Sequence, residues 1–239
     1  MKLRQVNLYS LKMIAPNLKY LQWLFNNGEP KAIHLVNSFT VTKLAETSHL
    51  EVLNSEYCIA DGKYLSYFFK FKRVPVLYMR GNELFKETLR QYPNSIHVIL
   101  GSPKLGLAKF ENILCSDYPN HNYLTVHEPP HTNEIQSHID FASTIIREFS
   151  PDFVWIGIGT PKQDILASEL SKLYSGNFIA IGAAINFLNQ KESPIILQTL
   201  GLEWLYRLLK EPRRLWRRYL VDGPKFIYVF VFNLFKERN

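Results

Sequence analysis

Between residues 30 and 200, short apolar runs alternate with longer stretches in which apolar residues recur every three or four positions. The runs Ala32–Val36, Ile96–Leu100, Asn122–Val126, Phe153–Ile158 and Phe178–Ile181 read as strands, and a shorter one, Tyr57–Ala60, runs into Asp61-Gly62. Thr40–Glu46, Leu105–Leu114, Thr132–Glu148 and Lys162–Leu173 read as helices, with Pro103, Thr132 and Pro161 as their starts. Strands that are apolar throughout, separated by helices, predict an α/β fold with a parallel sheet covered on both faces. Ligands of such sheets bind beyond the carboxyl ends of the strands, so the residues that follow each strand are the candidates for chemistry.

The pattern changes after residue 200. Trp204, Leu205, Leu208 and Leu209 recur at helical spacing, as do Leu215, Trp216, Tyr219 and Leu220, with arginines and lysine between them. Pro212 interrupts the periodicity and is expected to start a second helix. Phe226–Phe235 follows as ten mostly apolar residues, too few for the roughly 20 that span a bilayer. The division expected is a body over 1–200 and a basic, amphipathic helical appendage over 201–239. An aromatic face beside an arginine-rich face suits an anionic membrane surface. The alternative is an ordinary terminal helix docked on the body.

Charge sharpens this division. Residues 201–239 hold nine Lys/Arg against four Asp/Glu, which is +5 of the chain's +7. The body is nearly neutral, unlike a nucleic-acid-binding face, and nucleic-acid motifs are absent. With 239 residues, 46% hydrophobic and 21% charged, the chain is one large domain with an appendage, not a disordered polymer. Cys58 and Cys115 make no disulfide framework and no Cys/His cluster has zinc spacing. A reducing cytosol and no secretory leader are expected.

Three strands run into glycine: Gly101-Ser102-Pro103, Gly159-Thr160-Pro161-Lys162-Gln163 and Gly182-Ala183-Ala184. Glycine admits a close ligand and a helix start offers unpaired N–H groups, so three such turns on one edge suggest an anion site, such as for a nucleotide diphosphate. The plainer alternative is that glycines simply end the strands. None is a GxGxxG or Walker loop, which argues against hydride transfer on a dinucleotide and against a P-loop NTPase. Lys162 opposes the dipole of its own helix, which a bound phosphate would explain. Asp61 at a strand end could bind ribose, hold a metal, remove a proton or merely form a turn. Asn37, ending the first strand, could cap the next helix or touch a ligand.

The set Ala60-Asp61-Gly62, Gly101-Ser102-Pro103, Pro151-Asp152 through Gly157-Ile158-Gly159-Thr160-Pro161-Lys162-Gln163-Asp164, and Ile181-Gly182-Ala183-Ala184 resembles the WecG/TagA/CpsF glycosyltransferases (glycosyltransferase family 26). The tail Gly201-Leu202-Glu203-Trp204-Leu205-Tyr206-Arg207-Leu208 with Glu211-Pro212-Arg213-Arg214-Leu215-Trp216-Arg217-Arg218-Tyr219-Leu220 is the most specific part of the match. The resemblance implies a Rossmann-like fold and an inverting transferase of bacterial surface-polysaccharide assembly. A sugar such as N-acetylmannosamine would pass from UDP to a sugar on undecaprenyl diphosphate. The resemblance implies no cofactor and no metal, a peripheral place at the inner face of the cytoplasmic membrane, and oligomers as well as active monomers.

By the same resemblance Asp61 is the general base. Asn37, Gly62, Arg80, Gly101, Gly159, Pro161, Lys162, Gln163, Gly182 and Asn186 are the candidate donor contacts. Arg207, Arg213, Arg214, Arg217 and Arg218 are the candidates for the acceptor diphosphate or the membrane. Leu35 stands where the family often has Thr, Arg80 sits in a shifted register, Asn186 replaces Asp, and Asp164 replaces Glu. These departures bear on the donor sugar more than on the reaction class, and UDP-glucose is a further candidate donor. The competing readings are a nucleotide-sugar binding module without activity and a basic nucleic-acid-binding protein.

Overall fold

A computed structural model describes residues 6–14, 17–103, 105–119, 124–187, 194, 196–197 and 202–235. Six strands form one sheet: β1 (Lys31–Val36), β2 (Tyr57–Ala60), β3 (His97–Gly101), β4 (Leu124–His127), β5 (Phe153–Gly157) and β6 (Asn177–Ala180). Their order is β2-β1-β6-β5-β3-β4, and every pairing is parallel. The parallel Rossmann-like sheet is therefore present, with all carboxyl ends on one edge. Asn122 and Tyr123, expected at the start of β4, lie outside the described residues.

Because the strands are apolar on both sides, alternate residues feed two cores. Ile33, Leu35, Ile99, Trp155 and Ile179 face α1 (Leu18–Asn26), α5 (Gly81–Gln91) and α6 (Leu107–Asp117). Ala32, Val98, Val154, Ile156 and Phe178 face α7 (Ile135–Phe149) and α8 (Lys162–Leu173). A third core at the β1–β2 edge joins α2 (Ser38–Glu46) and α4 (Lys63–Phe71), with the short α3 (Glu51–Ser55) nearby.

The helix starts differ from two expectations. α6 begins at Leu107 behind Gly106 rather than at Pro103, and α7 begins at Ile135. Thr132 instead closes a small turn, its Oγ1 accepting from the Glu134 N–H at 3.1 Å. Pro161 does precede α8 as the sequence predicts.

The region expected as an appendage comprises α9 (Glu203–Lys210), α10 (Pro212–Trp216), a π-helical turn (Arg217–Asp222) and α11 (Gly223–Leu234). Pro212 starts a helix, as expected. One face of α11 docks on the body: Phe226 and Val229 are buried in the same core as Val41, Leu44 and Phe68. Buried Asn233 fastens this helix to the chain's start. Its Nδ2 donates to the carbonyls of Val6 (3.1 Å) and Val229 (2.8 Å), and its Oδ1 accepts from the Leu8 N–H (2.9 Å). At the start of α11, Asp222 binds Lys43 of α2 (3.3 Å) and Lys225 (2.9 Å), and Lys225 also reaches Glu46 of α2 (2.6 Å). The expected body–appendage boundary at residue 200 lies outside the described residues. Among the described residues no helix is long and apolar enough to cross a membrane.

Candidate active site

A cleft of about 220 Å³ opens at the carboxyl ends of β2, β1, β6 and β5. Asp61 lines it directly after β2. The Asp61 N–H donates to the Val36 carbonyl at 2.8 Å, which continues the β1–β2 ladder by one bond and fixes the backbone under the carboxylate. Gly62 then turns into α4 at φ +110°, a backbone state that side-chain-bearing residues avoid.

Asn37 caps the next helix, the first of the two roles that the sequence left open, and also turns toward Asp61. Its Oδ1 accepts from the N–H groups of Phe39 (3.0 Å) and Thr40 (3.2 Å), an N-cap for α2. Its Nδ2 donates to Asp61 Oδ2 at 3.2 Å, and Asn37 itself lines the cleft. One carboxylate oxygen is thus oriented by an amide that the helix start holds in place.

Gln163 ties two glycine turns together. It is buried, its Oε1 accepts the Gly159 N–H at 3.0 Å, and its Nε2 lies 3.4 Å from where a Cβ on Gly182 would stand. Gly159, Thr160, Gln163, Gly182, Ala183 and Ala184 all line the cleft. Asp164 points the other way and is fully buried. Its carboxylate accepts from Thr160 Oγ1 (2.9 Å) and faces His34 Nδ1 (3.2 Å) on β1, so it anchors the turn from behind.

Arg80 reaches the cleft by a route the sequence did not reveal. The segment before it pairs with β2, Met79 N–H donating to the Ala60 carbonyl at 3.1 Å. Arg80 caps α5 and forms an ion pair with Glu83. Gly81 and Asn82 open α5 against the cleft. Gly81 is needed there because any Cβ would lie 2.7 Å from Ala184 Cβ.

The appendage supplies the remaining wall through Arg207, Leu215, Arg218 and Tyr219. Arg218 lies over the Phe39 ring, 4.7 Å from its centroid, and Trp204 packs on Tyr219 at 5.8 Å. With Arg80, three arginines therefore line one cavity with the Asp61 carboxylate, an arrangement that can receive an anion beside a proton acceptor.

Other candidates stand elsewhere. Lys162 does not line the cleft; its ammonium donates to the Thr132 carbonyl at 2.9 Å, which accounts for a cation at a helix start without any phosphate. Gly101 presses against Ile185, where an added Cβ would lie 2.5 Å from Cδ1, so its small size serves packing. Gly62 and Pro161 flank the lining without belonging to it. Arg213 and Arg217 are exposed outside the cleft. Asn186 lies on the 3-10 turn Gly182–Phe187, and its side chain, like that of Arg214, lies outside the described residues. Among the described residues no group of three or more His, Cys, Asp or Glu gathers as a metal site. Phe39, Thr40, Asn82 and Tyr219 were not legible as lining residues, since only the packing of α2, α5 and the appendage brings them together.

A sequence model of the glycosyl transferase WecG/TagA/CpsF family matches residues 2–239. The chain belongs to this family. It is also similar to proteins of Staphylococcus aureus, strains MW2 and NCTC 8325, named N-acetylglucosaminyldiphosphoundecaprenol N-acetyl-beta-D-mannosaminyltransferase. Each is 27% identical over 189 residues, covering 76% of this chain and 71% of the relative. As a WecG/TagA/CpsF glycosyltransferase, the protein has its cleft where an α/β transferase would hold a donor, at the strand ends.

Proposed function

We propose that the protein is an inverting glycosyltransferase that moves a hexose, N-acetylmannosamine or a related sugar, from UDP to a sugar carried on a polyprenyl diphosphate. The Staphylococcus aureus relatives are named for an acceptor of that kind. The observation that carries the reading is the cleft itself, which gathers Asp61, the Gly159 and Gly182 turns, Gln163, Arg207 and Arg218.

In this reading the acceptor hydroxyl loses its proton to Asp61 as its oxygen bonds to the anomeric carbon. The bond from that carbon to the diphosphate breaks on the opposite side, and UDP leaves with the electron pair. Leaving-group charge falls on Arg207, Arg218 and the backbone N–H groups of the Gly182 turn, in place of a metal ion. Arg213 and Arg217, exposed on the outer side of the appendage with Trp216 and Leu220, face an anionic lipid surface at the inner side of the cytoplasmic membrane.

The test is a binding screen of UDP-sugars, followed by transfer to a synthetic lipid-diphosphate N-acetylglucosamine. Transfer of one sugar with inverted anomeric configuration is expected. Binding of a UDP-sugar without transfer to any lipid-diphosphate sugar would leave a nucleotide-sugar binding module instead.

A further inference from the structure

The helix that follows Asp61 carries an outer surface that the transfer reaction does not use. Residues 63–73, covering α4 and the two positions after it, contain four Lys/Arg and no Asp or Glu. The inner side of α4 is committed: buried Phe68 meets Phe230 of α11 edge-on at 5.5 Å, and Lys72 donates to the Leu234 carbonyl. The two contacts step four residues along each segment in the same direction, so the last turn of α4 and the residue after it meet the second half of α11.

Helical geometry then fixes which outer residues adjoin. At about 100° per residue, positions 67 and 71 follow Phe68 on the side away from core residues 65 and 69. On α11, positions 227, 231 and 235 follow 230 and 234 on the side away from 226 and 233. All five are exposed apolar or aromatic residues: Tyr67 46%, Phe71 70%, Ile227 62%, Val231 46% and Phe235 84%. Single exposed apolar residues are ordinary, but a band shared by two helices marks an interaction surface.

We propose that α4 of the body and α11 of the appendage together form a docking surface for an anionic bilayer, so that two helices hold the protein there. Charge selects this occupant. Lys70 and Arg73 are exposed beside Phe71, no acid occurs in that stretch, and cations rimming aromatics match an anionic lipid interface. The arrangement also sets a distance. α4 starts directly after Asp61-Gly62 and has nine residues, so Phe71 stands roughly 13 Å along the helix from the base, at 1.5 Å per residue. The inference rests on the membrane half of the reading above and is independent of the transfer chemistry.

The experiment is co-flotation of the full chain with vesicles of equal parts phosphatidylglycerol and phosphatidylcholine. Tyr67→Ser/Phe71→Ser is expected to weaken binding about tenfold or more, since burying one large aromatic side chain is worth that much. Lys70→Glu/Arg73→Glu is expected to weaken binding to these vesicles and to leave the remainder less sensitive to salt. Leu173→Ser, at the far end of α8 and 60% exposed, should change nothing. Unaltered vesicle binding by both double variants would overturn the proposal. So would a dimer in sedimentation that Tyr67→Ser/Phe71→Ser dissociates while vesicle binding persists, because the surface would then cover a second copy. Transfer to a water-soluble short-chain acceptor should survive all three variants. Failure of the wild type to transfer any sugar would sink the catalytic reading and leave the vesicle result standing.

Discussion

Asn37 donates from its amide nitrogen to Asp61 Oδ2 at 3.2 Å while its amide oxygen caps α2. Stability and base orientation thus depend on opposite ends of one side chain, and a substitution can separate them. Asn37→Asp keeps a good cap, so the unfolding free energy should stay within about 1 kcal/mol of wild type. It replaces a donor with a like charge, which disfavours the ionised form of Asp61. The acid limb of the kcat/KM profile should move to higher pH, with the plateau rate lowered. An unmoved limb would mean that Asn37 acts only as a cap.

Gly81 stands so close to Ala184 that an added Cβ would fall 2.7 Å from the Ala184 Cβ and 3.2 Å from Leu35 Cδ2. Gly81→Ala should destabilise the protein by about 1–3 kcal/mol, the usual cost of overpacking, and weaken donor binding because both residues line the cleft. Ala184→Gly in the same chain removes one of the two clashing atoms. Chemical denaturation of the two single variants and the double variant should show a coupling of more than about 0.5 kcal/mol.

Asp164 holds Thr160 Oγ1 and His34 Nδ1 from a fully buried position. Asp164→Ala strands both partners and should cost about 1–3 kcal/mol in urea unfolding. Because Thr160 lines the cleft, the variant should also raise KM for the donor.

The tie between appendage and body predicts a pH response. The Glu46 carboxyl sits below its ordinary 4.5, chiefly through the hydrogen bond from Lys225, with Lys43 adding to it against the opposing effect of burial. The Lys225 ammonium sits above its ordinary 10.5, chiefly through Glu46. A depressed carboxyl contributes fully above its unfolded value and loses that contribution as pH falls through the folded one. A raised ammonium contributes below its unfolded value and loses it as pH rises through the folded one. Docking of α11 should therefore be level between these limits and loosen below the usual glutamate range. Both side chains are about one-third exposed (31% and 33%), so the effect should not exceed about 1 kcal/mol. Hydrogen exchange of the α11 amides should show the acid limb, and Glu46→Gln should remove it.

Much of the sheet was legible because its strands are buried on both faces and read as unbroken apolar runs. The helices α1, α4 and α5 were not, although each has a clear inner face. α4 is short and aromatic, and α5 starts at a glycine whose purpose is a contact with Ala184, more than 100 residues away in sequence. The strand-end residues Asn37, Asp61, Gly159 and Gly182 could be placed at one edge from topology alone. Lys162 could not be placed from the sequence, because its partner is a backbone carbonyl in the loop before α7. Leu215 and Tyr219 carried helical periodicity in the sequence, and only the docked appendage turns that face into a wall of the cleft.

The most direct test of the catalytic account is the single-turnover rate of sugar transfer by Asp61→Asn, with UDP-sugar and lipid-diphosphate acceptor both saturating. General-base catalysis contributes about 10²–10⁴-fold, so the variant should be slower by at least about a hundredfold while binding the donor nearly as well as wild type. A rate within about tenfold of wild type would contradict Asp61 as the group that takes the acceptor's proton.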